Sequence, residues 1–123
     1  MNNSVPLLPI STVAEVLKVH QRTLRIYDEE RLLMPSRSPK NRRKYSMDDI
    51  ELGRLIQYLT KECGVNLMGI KIIIELMNEL KVPVSKRKDF VSKIALNNLG
   101  LTKEMQEANK SKLNKRGRKK KVA

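Results

Sequence analysis

Gln21, Arg22, Thr23, Arg25 and Tyr27 lie close together in the chain, and each carries a polar side chain able to donate hydrogen bonds. Arg25 is three residues after Arg22 and four after Gln21, so on a helix these three share one face. A guanidinium donates two parallel bonds, and a carboxamide offers a donor and an acceptor side by side. Those groups match base edges in the major groove of duplex DNA: arginine suits guanine, and glutamine suits adenine. Leu24 points to the opposite side and Ile26 to the flank, which would hold such a helix on an apolar body. Tyr27 can rest its ring on that body and turn its hydroxyl to a phosphate. Asp28, Glu29 and Glu30 follow directly. A polyanion would repel them, so they are expected at the end away from it, paired with Arg31 or Arg25. Taken alone, the stretch also fits a solvated helix laced with i,i+4 ion pairs.

The next segment changes that balance. Between Arg31 and Met47 there is no acid, while Arg37, Lys40, Arg42, Arg43 and Lys44 crowd together. Pro35 and Pro39 exclude a helix. Extended arms around Ser38-Pro39-Lys40-Asn41 would form a β-hairpin wing, with Leu32, Leu33 and Met34 anchoring one end and Tyr45 the other. The alternative is a disordered basic loop.

Helices must position both elements. Residues 11–19 predict a short helix, with Ser11 or Thr12 as cap, Thr12 and Glu15 forming a capping box, and Val13, Val16 and Leu17 as apolar stripe. Residues 20–30 predict the second helix. At most a residue or two separates the pair, with Lys18-Val19-His20 in place of the usual glycine turn, and two helices so closely joined make a helix-turn-helix. His20, the only histidine, is expected to cap the second helix or contact backbone, with a phosphate contact as the alternative. Ser46 caps a third helix whose first turn holds Asp48 and Asp49. Its buried side is Ile50, Leu52, Leu55, Ile56 and Leu59, and it ends near Cys63-Gly64. Asn66 caps a fourth, with Ile70, Ile73, Ile74, Met77 and Leu80 on one face. Ile72 and Leu76 add a second apolar face, which predicts a subunit contact. Beyond Pro83, residues 85–114 predict one kinked helix or two short ones. Phe90, Ile94, Leu99 and Leu101 are its candidate dimerisation residues, together with Ile72 and Leu76.

The whole chain has 123 residues, a formal net charge of +13 and a pI near 10.1. That excess points to a polyanionic partner. Aromatics make up 3% of the residues and there is no Trp, so the core must be aliphatic. The single cysteine, Cys63, excludes an internal disulfide and a CxxC metal knuckle. It is expected to be a buried or half-buried structural residue. No metal, cofactor or membrane is expected, and no set of residues could form a nucleophilic catalytic site, so an enzyme is not expected. No signal peptide is legible, which predicts a cytoplasmic protein. The tail carries eight basic residues between Lys110 and Lys121 and no acid. It is expected to be disordered and to add sequence-independent phosphate affinity.

TLRIYDEERLL, then Pro35, a basic loop, RRKYS and DDIELGRLIQYL, resembles the MerR family of bacterial winged helix-turn-helix regulators. HQRTLRIYD, RRKYSMDDIEL and GVNLMGIKIIIEL look most like its HspR-type heat-shock repressors. The resemblance covers about residues 10–80. It implies that Arg22, Arg25 and Tyr27 touch DNA from the second helix. Arg43 and Lys44 would touch backbone from the wing, and Tyr45 would occupy the wing-end tyrosine position. It further implies a nucleoid-associated homodimer on inverted-repeat operators, repressing chaperone genes, with a chaperone as a possible co-regulator. Arg31-Leu32 departs from the family's Gly-Leu, and Asn41-Arg42 stands near its wing glycine.

The expected fold is therefore mainly α: a winged helix-turn-helix with a small β-hairpin wing and a C-terminal helical dimerisation segment. The expected organisation is an arm over 1–9 docking Leu7 or Leu8, a DNA-binding domain over 10–80, a helical segment over 81–113 and a basic tail over 114–123. The candidate DNA-binding set is Gln21, Arg22, Thr23, Arg25, Tyr27, Arg37, Arg42, Arg43, Lys44 and Tyr45. Two other readings remain open: a general or ribosome-associated nucleic-acid binder, and an excisionase-like architectural protein.

Overall fold

The computed structural model describes residues 3–97. Leu99, Leu101, the later part of the predicted C-terminal helix and the basic tail lie outside them. In chain order the elements are β1 (Leu8–Pro9), α1 (Ile10–Leu17), α2 (Gln21–Glu29), β2 (Ser36–Arg37), β3 (Arg43–Tyr45), α3 (Met47–Gln57), α4 (Leu67–Glu79) and α5 (Arg87–Asn97). A π-helical turn, Tyr58–Glu62, extends α3, and a 3-10 turn, Val84–Lys86, precedes α5. The chain divides into two compact units. One holds Met1–Arg54 with Pro83–Ser85, and the other Leu55–Val82 with the chain from Lys86.

In the first unit the wing forms as expected, but with a third strand. The sheet order is β1-β3-β2, antiparallel throughout. Leu8 pairs with Tyr45 and Pro9 with Lys44. Leu8 is half-buried there, whereas Leu7 is exposed. The N-terminal segment thus docks through Leu8, as an edge strand of the sheet. Proline is tolerated at such an edge because it need not donate to the ladder. The backbone N–H of Asp48 donates to the Asn3 carbonyl at 3.0 Å, fixing the segment further back.

This strand also decides where α1 begins. Pro9 occupies the cap position without a side-chain bond, and the helix starts at Ile10. Ser11 and Thr12 fall inside the first turn, so the expected capping box does not form. The buried stripe is Val13, Ala14 and Leu17, while Val16 is exposed. Starting the helix earlier and packing it against a sheet turns Ala14 inward in its place. Leu24, Leu32, Leu33, Tyr45 and Ile50 complete this core. Each large aliphatic buried here contributes about 1.5–3 kcal/mol relative to exposure. Gly53 lets α3 approach α1 closely: a Cβ there would lie 2.6 Å from Leu17 Cδ1.

Capping of α3 and α4 follows the sequence. Ser46 Oγ accepts from the Asp49 N–H at 3.1 Å, and the Asp49 carboxylate accepts from the Ser46 N–H at 2.9 Å. Asn66 Oδ1 accepts from the Gly69 N–H at 2.9 Å. In the second unit Leu55, Ile56, Tyr58, Leu59, Ile70, Met77 and Ala95 are buried. Leu52, on the part of α3 in the first unit, is only half-buried, and so are Ile73 and Ile74 of α4. Leu80 is 66% exposed. Leu80 lies at the end of α4 on the rim of an open apolar groove, so it is not buried as its period suggests. Arg87 is buried at the start of α5, where it donates to the Val82 carbonyl and to Asn78 Oδ1, both at 2.9 Å. It thereby satisfies acceptors at the end of α4.

Three helices end on the same device. Lys18 after α1 (φ 59°), Arg31 after α2 (φ 61°) and Lys81 after α4 (φ 57°) adopt the left-handed conformation. The next residue is aliphatic and donates five residues back: Val19 to Ala14 (3.0 Å), Leu32 to Tyr27 (2.8 Å) and Val82 to Met77 (3.1 Å). This is a Schellman ending, in which glycine normally takes the left-handed position because it has no Cβ to clash. A basic residue is strained there, and attraction to the helix C-terminus offsets part of the strain. Lys81→Gly is therefore expected to raise stability by about 0.5–1 kcal/mol, read as a higher urea midpoint with an unchanged slope. A lower midpoint would show that the lysine charge outweighs the backbone strain.

Candidate nucleic-acid interface

Positioning of the second helix starts at the turn. Lys18 closes α1, His20 takes the cap position of α2, and its carbonyl accepts from the Thr23 N–H at 2.9 Å. The imidazole makes no cap bond, so the cap is supplied by backbone alone. α2 buries Leu24 completely and leaves Arg22 and Arg25 exposed. Gln21 and Thr23 are half-buried. Arg25 donates to Gln21 Oε1 at 3.2 Å, so two of the proposed base-reading groups are already aligned on one face. Ile26 lies at the flank, 37% exposed. Tyr27 is half-buried, and burial raises its pKa, so its phenol stays a donor at neutral pH.

The wing closes over the predicted turn. Asn41 N–H donates to the Ser38 carbonyl at 2.8 Å, and Ser38 N–H to the Arg42 carbonyl at 2.9 Å. Asn41 takes a left-handed φ of 63°, which asparagine tolerates better than most residues. Arg37 donates to the Asn41 carbonyl at 3.2 Å. Lys40 and Arg42 are exposed at this tip.

Strand register then creates an electrostatic problem. Arg37 lies directly opposite Arg43, and like charges facing across a ladder are destabilising. Asp28 answers it. Its Oδ2 accepts from Arg43 Nε at 3.0 Å and lies 3.7 Å from an Arg37 guanidinium nitrogen. The side chain of Asp28 is 22% exposed and that of Arg43 21%, against 44% for Arg37. The Arg43 contact is therefore the shielded one. This corrects the expectation that Asp28 pairs with Arg31 or Arg25: the carboxylate turns to the wing, where two cations demand it. The facing arginines were the available signal, but only register brings them together.

Side chains alternate along β3. Arg43 and Tyr45 share the face turned toward α2, and Lys44 points to the other. Tyr45 is completely buried, so in this fold it is a core residue and not a DNA contact. Its hydroxyl makes no hydrogen bond among the described residues. Burial pushes its pKa up to about 12, against a partial opposing effect from Arg43.

Of the candidate dimerisation residues, Ile72, Leu76, Phe90 and Ile94 are exposed. Leu76, Phe90 and Ile94 line an apolar groove of about 490 Å³ together with Leu59, Ile73 and Leu80. Cys63 borders it, half-buried, with its thiol pKa raised by burial. Among the described residues no group of three or more His, Cys, Asp or Glu could hold a metal, and no helix is long and apolar enough to cross a membrane.

A helix-turn-helix whose second helix is tied by charge to a basic three-stranded wing defines a winged helix-turn-helix DNA-binding protein. Residues 8–77 match the family described as MerR HTH family regulatory protein, and the chain belongs to that family. It is 42% identical over 80 residues to a Streptomyces coelicolor protein named heat shock protein HspR, covering 65% of this chain and 53% of that one. The chain thus spans about half the length of that relative. It is 34% identical over 92 residues to the HTH-type transcriptional regulator GlnR of Bacillus anthracis and of Bacillus cereus, covering 75% of this chain and 70% of theirs. Both GlnR relatives are named HTH-type transcriptional regulators.

Tyr45→Phe isolates the structural role of the wing-end ring. Removing a buried hydroxyl without a partner is expected to raise stability at pH 7 by about 1 kcal/mol, while DNA affinity stays unchanged. The pH dependence has a definite sign. Tyr45 contributes its full stability below its ordinary pKa of 10.0, and that contribution is lost as pH rises toward 12. The wild type should lose about 1.4 kcal/mol per pH unit in that window from this residue, and the Phe variant should lack that part of the decline. Weaker DNA binding by the Phe variant would show instead that the hydroxyl reaches a phosphate.

Proposed function

We propose that this protein is a dimeric repressor of heat-shock and chaperone genes that binds inverted-repeat operators. The observation that carries the reading is the α2 face of Gln21, Arg22 and Arg25, with both arginines exposed, set beside an acid-free wing that Asp28 joins to the same helix. A recognition element needs long donors in its first turn, an apolar rear and flanking cations for phosphates. α2 supplies the first two, with Leu24 as the rear. The wing supplies the third through Arg42, Lys44 and the more exposed Arg37. Arg22 and Arg25 are the base readers, helped by Gln21. Thr23 and Tyr27 are backbone contacts. The heat-shock assignment rests on similarity to the HspR relative.

Dimerisation follows from the exposed apolar residues Ile72 and Leu76 of α4 and Phe90 and Ile94 of α5, with Leu99 and Leu101 as further contacts. A chaperone is the expected co-regulator. A cytoplasmic, nucleoid-associated location accords with a DNA partner.

Footprinting on a chaperone promoter should protect two half-sites one or two helical turns apart. Protection without a dyad, or binding without sequence preference, would favour the general nucleic-acid binder. Within the footprint two substitutions should differ in kind. Arg25→Ala should cost about 1–3 kcal/mol and relax preference at one base pair. Lys44→Ala should weaken all duplexes alike and lower the salt slope by about 0.9. Equal weakening on every sequence by Arg25→Ala would contradict a base-reading role.

A further inference from the structure

Two cations bracket α2. Lys18 occupies the turn before it and Arg31 the turn after it, both exposed and both in the left-handed conformation. Among the described residues neither side chain has an ion pair, although Asp28, Glu29 and Glu30 directly precede Arg31. The Asp28 carboxylate is taken by the wing. Glycine would adopt either backbone conformation without strain, yet each position carries a long cation free to reach outward. Attraction to a helix C-terminus favours a basic residue at such an end, as it does at Lys81. Lys18 and Arg31 differ from Lys81 in their place: they stand at the two ends of the helix that presents Gln21, Arg22 and Arg25.

The dimensions suit a duplex. At 1.5 Å per residue, the nine residues of α2 span about 13–14 Å. The major groove is about 12 Å wide between its phosphate ridges. A helix laid across the groove would bring the groups at its two ends to the two backbones. The wing arginines neutralise Asp28, so the acids before Arg31 do not by themselves hold that end off the DNA as the sequence suggested. We propose that Lys18 and Arg31 are phosphate-binding residues, one toward each backbone beside the groove that α2 enters. This inference rests on the DNA-binding reading above and adds to it two contacts outside the base-reading face and the wing.

The test needs no operator, because phosphate contacts do not depend on sequence. Affinity of the full chain for a mixed-sequence duplex is measured across a salt series for the wild type, Lys18→Gly, Arg31→Gly and the charge-keeping Lys18→Arg and Arg31→Lys. Each Gly variant should melt no lower than the wild type, because its backbone strain is relieved. Each should nevertheless bind roughly 3- to 10-fold more weakly at moderate salt, with a salt slope shallower by about 0.9. The charge-keeping variants should retain the wild-type slope. A Gly variant with wild-type affinity and slope overturns the assignment for that residue, whose charge would then serve only the helix end. Absence of duplex binding by the wild type would overturn the DNA-binding reading itself, and this inference with it.

Discussion

The Asp28 carboxylate meets two arginines that the wing places opposite each other, and much of the first unit depends on that meeting. Antiparallel pairing sets Arg37 against Arg43, a pair that repels unless an anion stands between them. Because the anion sits on α2, neutralising the wing also fixes it to that helix. The same alternation that turns Arg43 inward turns Tyr45 inward and Lys44 outward. Asp28 thus holds Arg43 and Arg37 to the helix, while Lys40 and Arg42 remain exposed at the tip. The buried Tyr45 ring supplies the apolar half of the joint, and β1 closes the far side of β3.

The path of the chain is set by local devices that agree with this arrangement. Reciprocal bonds between Ser46 and Asp49 start α3 directly after the wing. Schellman endings at Lys18 and Arg31 reverse the chain on either side of α2 without glycine. Gly53 permits the close packing of α3 on Leu17. Each device satisfies backbone groups that a helix end would otherwise leave without partners, so the Gln21, Arg22 and Arg25 face is presented on a helix fixed at both ends.

Much of this was legible in the sequence. Ser46 and Asn66 announced their helices because a capping side chain acts over three residues, within the reach of pattern reading. The Ser38–Asn41 turn and the second helix were equally local. The departures arise where tertiary packing overrides local preference. β1 has two residues, one of them Pro9, so no periodicity could reveal it, yet it displaced the Thr12 capping box and exchanged Val16 for Ala14 in the core. Tyr45 entered the contact set because it matches the family's wing-end tyrosine, but strand alternation buries it, in keeping with its other expected role as an anchor of the wing. Leu80 fits the apolar period of α4 but lines an open groove rather than a closed core. The partner of Asp28 depended on strand register, which no helix pattern contains.

If Asp28 and Arg43 hold helix and wing together as one reading head, they act on DNA as a unit. The most direct measurement is a double-mutant cycle on operator affinity with Asp28→Asn, Arg43→Gln and the double variant. A shared latch predicts that each single variant weakens binding and that the double is no worse than the weaker single, a coupling of about 1–2 kcal/mol. Additive losses would contradict it, showing that Arg43 binds DNA on its own and that the wing is held by other means.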